Sequence, residues 1–276
     1  MSIKLMYITN DCCVARIAER SGVDRIFVDM EYIGKSERQG GMDTVQNHHS
    51  IEDVINIRKC IKTAELLVRC NPVHDKSDQY CSTEEEIERI VEAGADIIML
   101  PYFKSPCEVS RFVSSVNGRA KTMLLFETPE AVESIDEILK IPGIDEAFVG
   151  LNDLSLGYGM RFMFEPLTNN ILEDVCKKFA QKSLAYGFGG LASLEGGLLP
   201  GKFIVAEHYR LNSSSAILSR SFCNTSMISD KSEIERIFNK GINEIRQFEK
   251  ICSSGQIDYD NNLKSIKKIV KDIVEK

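Results

Sequence analysis

The feature that most constrains this chain is a recurrence of short, nearly unbroken apolar runs separated by stretches with helical spacing. The runs fall at residues 5–9, 25–29, 66–69, 97–101, 122–126, 147–149, 187–191 and 216–220. A strand with one wet face alternates apolar and polar residues. A run such as Ile97-Ile98-Met99-Leu100 does not alternate, so it suits a parallel sheet covered by helices on its outer face. The intervening helical stretches are expected at 12–21, 51–64, 82–92, 107–116, 128–139, 167–186 and 201–209. Two of them open on clear start signals. Ser82 is followed at the right spacing by Glu85, a capping box, and Thr128 precedes Pro129, a cap with proline in the first turn. Eight strand–helix units on short links predict an α/β fold of the (β/α)8, or TIM, barrel type rather than an open doubly wound sheet. The length of 276 residues fits one such barrel, which takes about 250.

Two regions fall outside the repeat. Residues 33–50 form a long polar insert, and loops of this length tend to be functional or mobile. Beyond the eighth unit, helices are expected at 231–251 and 262–275. We therefore divide the chain into a barrel, 1–228, and a helical extension, 229–276. Leu263, Ile266, Val270, Ile273 and Val274 make an apolar stripe on the last helix. Its partner is either the barrel's own flank or a neighbouring subunit.

Composition excludes several classes. The net charge is −7 with no dense basic cluster, which argues against nucleic acid as a partner, because phosphates need cations. No apolar run approaches the ~18 residues of a membrane span. The nine cysteines contain no C-x-x-C pair, and we read them as reduced thiols of a cytoplasmic protein.

Barrel enzymes place chemistry at the C-terminal ends of their strands. Those ends carry Asp29 and Glu31, Arg69, Glu127, Asn152 and Asp153, and the run Ser219-Arg220-Ser221. Carboxylates there are costly to bury unless paired or liganded. Together with a guanidinium they suit a hard divalent cation, magnesium or manganese, and an anionic substrate. Arg69 either forks onto a substrate carboxylate or neutralises Glu127 or Glu31 in a structural ion pair. Arg220 has the same two readings. His208 lies on a helical pattern away from the strand ends and is expected to be structural.

The stretch Leu124-Leu125-Phe126-Glu127-Thr128-Pro129-Glu130-Ala131, with Pro142-Gly143-Ile144-Asp145 and Gly150-Leu151-Asn152-Asp153-Leu154-Ser155, resembles the metal-binding core of the HpcH/HpaI aldolase and citrate lyase family. Gly22-Val23-Asp24, Val28-Asp29-Met30-Glu31, Leu67-Val68-Arg69, and Glu92-Ala93-Gly94-Ala95-Asp96 through Leu100-Pro101 match in the same order. The resemblance covers roughly residues 4–222. It implies a lyase that makes or breaks a carbon–carbon bond beside a keto acid or acyl thioester, in a homo-oligomer with an extra C-terminal helix. It also implies Glu127 and Asp153 as ligands of a divalent metal, Mg2+ or Mn2+, that holds a pyruvate-like 2-oxo acid as its enolate. Arg69 would face the enolate oxygen, and Gly94, Ala95 and Asn152 would line the substrate site. Where the family's aldolases carry a histidine base, this chain has Tyr32, and Glu92 matches the carboxylate that supports that histidine. Leu125 replaces a glutamine. His48 and His49 in the insert are either alternative bases or simply two exposed loop histidines. The run Arg69-Cys70-Asn71-Pro72 is similar to the citrate lyase beta-subunit branch, so an acyl-CoA lyase is the second reading and a binding protein without turnover the third.

Overall fold

A computed structural model describes residues 2–34 and 49–276. Its strands are β1 (Lys4–Ile8), β2 (Arg25–Asp29), β3 (Glu65–Arg69), β4 (Ile97–Leu100), β5 (Lys121–Phe126), β6 (Glu146–Val149), β7 (Ala185–Leu191) and β8 (Ser215–Leu218). They pair in sequence order, all parallel, and β8 returns to β1, so the sheet is a closed barrel. The helices are α1 (Cys12–Arg20), α2 (Ile51–Cys60), α3 (Thr83–Glu92), α4 (Pro106–Val116), α5 (Pro129–Glu133), α6 (Ile135–Ile138), α7 (Leu151–Gly157), α8 (Ile171–Gln181), α9 (Gly201–Arg210), α10 (Lys231–Ser253) and α11 (Tyr259–Val274). The capping box predicted at Ser82 is formed with Glu85, and Thr128 accepts from the Ala131 amide.

Side chains alternate across a strand, and that parity organises the molecule. Met6, Phe27, Leu67, Ile97, Met99, Met123, Leu125 and Phe148 fill the barrel interior. Their neighbours, such as Ile26, Val28, Leu66, Val68, Leu124 and Phe126, pack outward against the helices. Two residues before the interior set, at the N-terminal ends, the same parity brings Arg25, Glu65, Lys121 and Glu146 to the barrel floor. Arg25 is fully buried there. It donates to both oxygens of Glu146 at 2.6 and 2.7 Å and to Glu65 at 2.8 Å.

The extension packs on this barrel. α10 lies against α1 and α9, and α11 against α9. Ile234, Phe238, Ile242, Ile245, Ile266 and Val270 join the outer core, so the stripe on the last helix meets its own chain's flank.

Three local expectations change. The single helix expected at 167–186 is a 3-10 turn, Glu165–Leu167, followed by α8. Asn170 between them takes a left-handed backbone, φ 69°, which asparagine tolerates and which interrupts a helix. The helix expected at 128–139 breaks at Ser134 into α5 and α6. The cysteines are not all reduced. Cys12 and Cys60 form a disulfide joining the first turn of α1 to the last turn of α2, with their Cα atoms 5.7 Å apart. Among the described residues no helix is long and apolar enough to cross a membrane.

His208 is structural, as expected. It is fully buried and stacks on Phe188 at 3.8 Å between ring centroids. Its Nδ1 meets Ser213 Oγ at 2.8 Å, while Nε2 has no hydrogen-bond partner. Burial pushes its pKa from 6.5 down to about 3. The folded state therefore refuses a proton that the unfolded chain accepts below pH 6.5, so this contribution to stability is lost as pH falls from there toward 3. His208→Gln is expected to flatten that slope. Between pH 6.5 and 4.5 the wild type should lose about 2 kcal/mol more than the variant, since each unit is worth about 1.4 kcal/mol. Urea midpoints across that range check it, and parallel curves would exclude His208 as the cause.

Candidate active site

The interior parity also runs upward. Two residues beyond Phe27, Leu67 and Leu125 come Asp29, Arg69 and Glu127, so all three turn inward at the C-terminal mouth. Asp29 and Arg69 are direct partners in the β2–β3 register. Arg69 Nε and Nη2 donate to the two oxygens of Asp29 at 2.8 and 2.7 Å, and Nη1 lies 3.2 Å from Glu31 Oε2. The guanidinium also sits 5.6 Å from the centroid of the Phe27 ring. Burial works against its charge, but Asp29 and Glu31 outweigh it and raise its pKa further. Of the two readings of Arg69, its ion pairs are with Asp29 and Glu31, and they fix the guanidinium at the edge of a cavity.

Glu127 is buried, 3 % exposed. Its Oε1 accepts from the Tyr102 amide at 2.9 Å. A Cβ on Gly150 would stand 2.8 Å from Oε2, so only glycine leaves that carboxylate its place. Asp153 lies in the first turn of α7, a position that favours a negative charge, and Asn152 Nδ2 donates to its Oδ1 at 3.1 Å. Burial, then Glu31 and Asp153, push the Glu127 pKa far above the usual carboxylate range, and Arg69 only partly opposes them. Among the described residues the mouth gathers four carboxylates, Asp29, Glu31, Glu127 and Asp153, with the guanidiniums of Arg69 and Arg220 at the same cavity. Buried carboxylates gathered in this way are a setting in which a divalent cation lowers the energy of a site.

The cavity at the mouth has a volume of about 370 Å³ and is lined by Arg69, Glu127, Asn152 and Asp153. A second cavity of about 520 Å³, beside Tyr102, Lys104 and Glu130, shares Glu127 and Asp153. The two carboxylates thus stand where two openings meet.

Other expected site residues lie elsewhere. Glu92, Gly94 and Ala95 precede β4, so they sit at the N-terminal end of the barrel, opposite the mouth. Glu92 is exposed, and a Cβ on Gly94 would touch Arg58, 3.2 Å away. Chain order had aligned them, but a residue before a strand and a residue after it are at opposite ends. Tyr32 is not among the residues lining the cavity. Asn71 Oδ1 accepts from the Tyr32 and Ile33 amides at 3.0 Å, and the Tyr32 ring leans on Tyr80 at 5.7 Å. Burial and then Glu86 raise its pKa, so it keeps its proton at neutral pH. His48 falls outside the described residues. His49 Nδ1 accepts from the Asp29 amide at 3.0 Å, so that nitrogen is the unprotonated one.

Four contributors were missed. Glu86 is buried and holds Asn71 by its amide and side chain, which fixes the chain after β2. The helix spacing of 82–92 masks it as one more surface acid. Tyr7 donates to Cys223 O at 3.0 Å and pins the segment after β8. Gly189 and Gly190 line the cavity, and glycines inside a strand pattern signal a close approach.

A closed parallel barrel with a carboxylate-rich pocket at its C-terminal mouth defines an α/β-barrel protein whose chemistry is built from strand ends. Residues 5–163 match the HpcH/HpaI aldolase/citrate lyase family model, and the chain belongs to that family. A hydroxypyruvate/pyruvate aldolase from Sagittula stellata is 23% identical over 143 residues, covering 41% of this chain and 56% of the relative, so the match spans little more than half of that protein's length. An HpcH/HpaI aldolase structure from Desulfitobacterium hafniense superposes with a TM-score of 0.60 at 16% identity, covering 85% of this chain and 93% of the other. A structure of an HpcH/HpaI aldolase/citrate lyase family protein from Burkholderia cenocepacia gives 0.62 at 15% identity, covering 84% and 95%. At these identities the structures speak for the fold.

Proposed function

We propose that the protein is a divalent-metal-dependent carbon–carbon lyase of the aldolase type acting on a pyruvate-like 2-oxo acid, with Glu127 and Asp153 as the protein ligands of Mg2+ or Mn2+. The observation that carries it is the buried Glu127 beside Asp153, with Arg69 clamped at the same cavity. Among the described residues no three of His, Cys, Asp and Glu form a metal cage. Two carboxylates with the remaining positions open to substrate and water are a common setting for magnesium. The ion would supply Lewis acidity to the 2-oxo acid.

The chain's own residues do the rest. Asp29 and Glu31 hold the Arg69 guanidinium in one orientation, which is a fixed positive charge for the oxygen that gains negative charge during bond cleavage. Because those ion pairs exist before substrate arrives, little reorganisation is needed at that moment. The Tyr102 amide and the space at Gly150 fix Glu127, and Asn152 orients Asp153.

With Mg2+ or Mn2+ and pyruvate in deuterated water, the methyl protons are expected to exchange, as followed by NMR, and Glu127→Ala should not support it. Protein that holds the metal yet gives no exchange would sink the pyruvate reading and favour the acyl-CoA or non-catalytic alternatives, which selective binding of a CoA ester separates.

A further inference from the structure

Glu127 and Asp153 line both cavities, so the two carboxylates can be reached from two sides. Being shared, they count equally for either approach. What remains at the barrel mouth is Asp29 with Arg69 and Arg220. What remains at the second opening is Glu130 and Glu133 with Lys104. The mouth is the more cationic approach and the second opening the more anionic one.

The second opening is framed by the segment after β4, by α5 and by α7. A Cβ on Gly157, the last residue of α7, would stand 2.6 Å from Pro129 Cδ, so glycine lets α7 close on the start of α5. The cation at this opening is engaged. Lys104 Nζ lies 3.1 Å from Glu130 Oε1 and 5.4 Å from the centroid of the Tyr102 ring. Glu133 is exposed and has no ion-pair partner among the described residues. Tyr158 feels both acids, since after burial they are the groups that raise its pKa. Deeper in, the Tyr102 amide holds Glu127 Oε1, and Oε2 accepts no hydrogen bond among the described residues. The volume of about 520 Å³ admits an ion that still carries its water. Six waters at roughly 30 Å³ each take about 180 Å³. A divalent ion that dehydrates reluctantly binds at a rate set by how strongly its hydrated form is gathered beside the ligands before a water leaves. A lining of one sign does that gathering.

We propose that the divalent cation reaches Glu127 and Asp153 through this second opening, drawn in by Glu133 and Glu130, while the mouth is left to the organic substrate. This rests on Glu127 and Asp153 holding the metal, and not on which substrate they serve. One consequence is that the ion can exchange while a substrate occupies the mouth.

The test uses full-length protein stripped by chelator. Calorimetric titration first establishes that Mn2+ binds, and stopped-flow mixing with a fluorescent chelator dye then gives its association and dissociation rates. At low ionic strength Glu133→Lys is expected to slow association by about tenfold or more, within the range of electrostatic steering. Glu133→Gln should slow it less, and Lys104→Gln should speed it. These differences should shrink in high salt, where such fields are screened, and dissociation should change far less than association. Ser226 lines the mouth and is exposed, so Ser226→Lys places a positive charge at the other entrance, and it should leave association within about twofold of wild type. If Ser226→Lys slows association as much as Glu133→Lys, or if Glu133→Lys leaves the rate unchanged, the route is overturned. Wild-type protein that holds no Mn2+ at equilibrium overturns the metal assignment and the route with it, and the titration reports that failure separately from the rates.

Discussion

Glu127→Gln is expected to weaken Mn2+ binding by more than 100-fold and, at the same time, to make the metal-free protein more stable. The first effect follows from removing one of two protein ligands. Loss of groups that merely support a ligand already costs about 10–100-fold in affinity. The second follows from where the charge sits. Glu127 is buried beside Glu31 and Asp153, and those neighbours together with burial raise its pKa. A neutral amide of the same shape removes that repulsion, and its carbonyl oxygen can still accept from the Tyr102 amide. A gain of about 1–2 kcal/mol is the scale of such a relief. Calorimetric titration of Mn2+ measures the first, and denaturant unfolding in chelator the second. Unchanged Mn2+ affinity would remove Glu127 from the metal site. A less stable variant would show that its carboxylate is stabilised by something other than a cation.

Arg25→Met should cost about 3–5 kcal/mol, the range for breaking a buried ion pair from one side. Arg25 is fully enclosed and forms a forked pair with Glu146. It also holds Glu65, which Lys121 bonds from the other side at 2.7 Å. Burial alone would raise the Glu65 pKa, yet the bonds from Lys121 and Arg25 bring it down to about 2. Removing the guanidinium leaves Glu146 buried without its counter-charge. Replacing both partners with methionine should recover most of the loss, because the desolvation cost then disappears along with the attraction. Urea unfolding of the single and double variants separates these terms. A single variant within 1 kcal/mol of wild type would show that water enters the floor and screens Glu146.

The eight strands were legible because a strand enclosed by barrel and helices needs apolar residues on both faces, and few other structures tolerate such runs. The strand-end rule then placed Arg69, Glu127, Asn152 and Asp153 around one cavity without further knowledge. Glu92, Gly94 and Ala95 came from motif order in the resemblance and not from that rule, and they lie before β4 rather than after it. Tyr32 follows the strand end correctly, yet Asn71 and Tyr80 decide where its ring goes, and neither contact is written in local sequence. The Cys12–Cys60 bond depends on how two helices lie against each other, and a spacing of 48 residues carries no hint of that.

That bond has a consequence for the chain as a covalent object. Residues 12–60 form a closed ring containing α1, β2 with Asp29, Glu31 and the whole polar insert. A protease that cuts once inside the ring opens it but releases no fragment. Under oxidising conditions a clipped molecule keeps its full mass and both halves of its mouth, and only a reductant lets the pieces part.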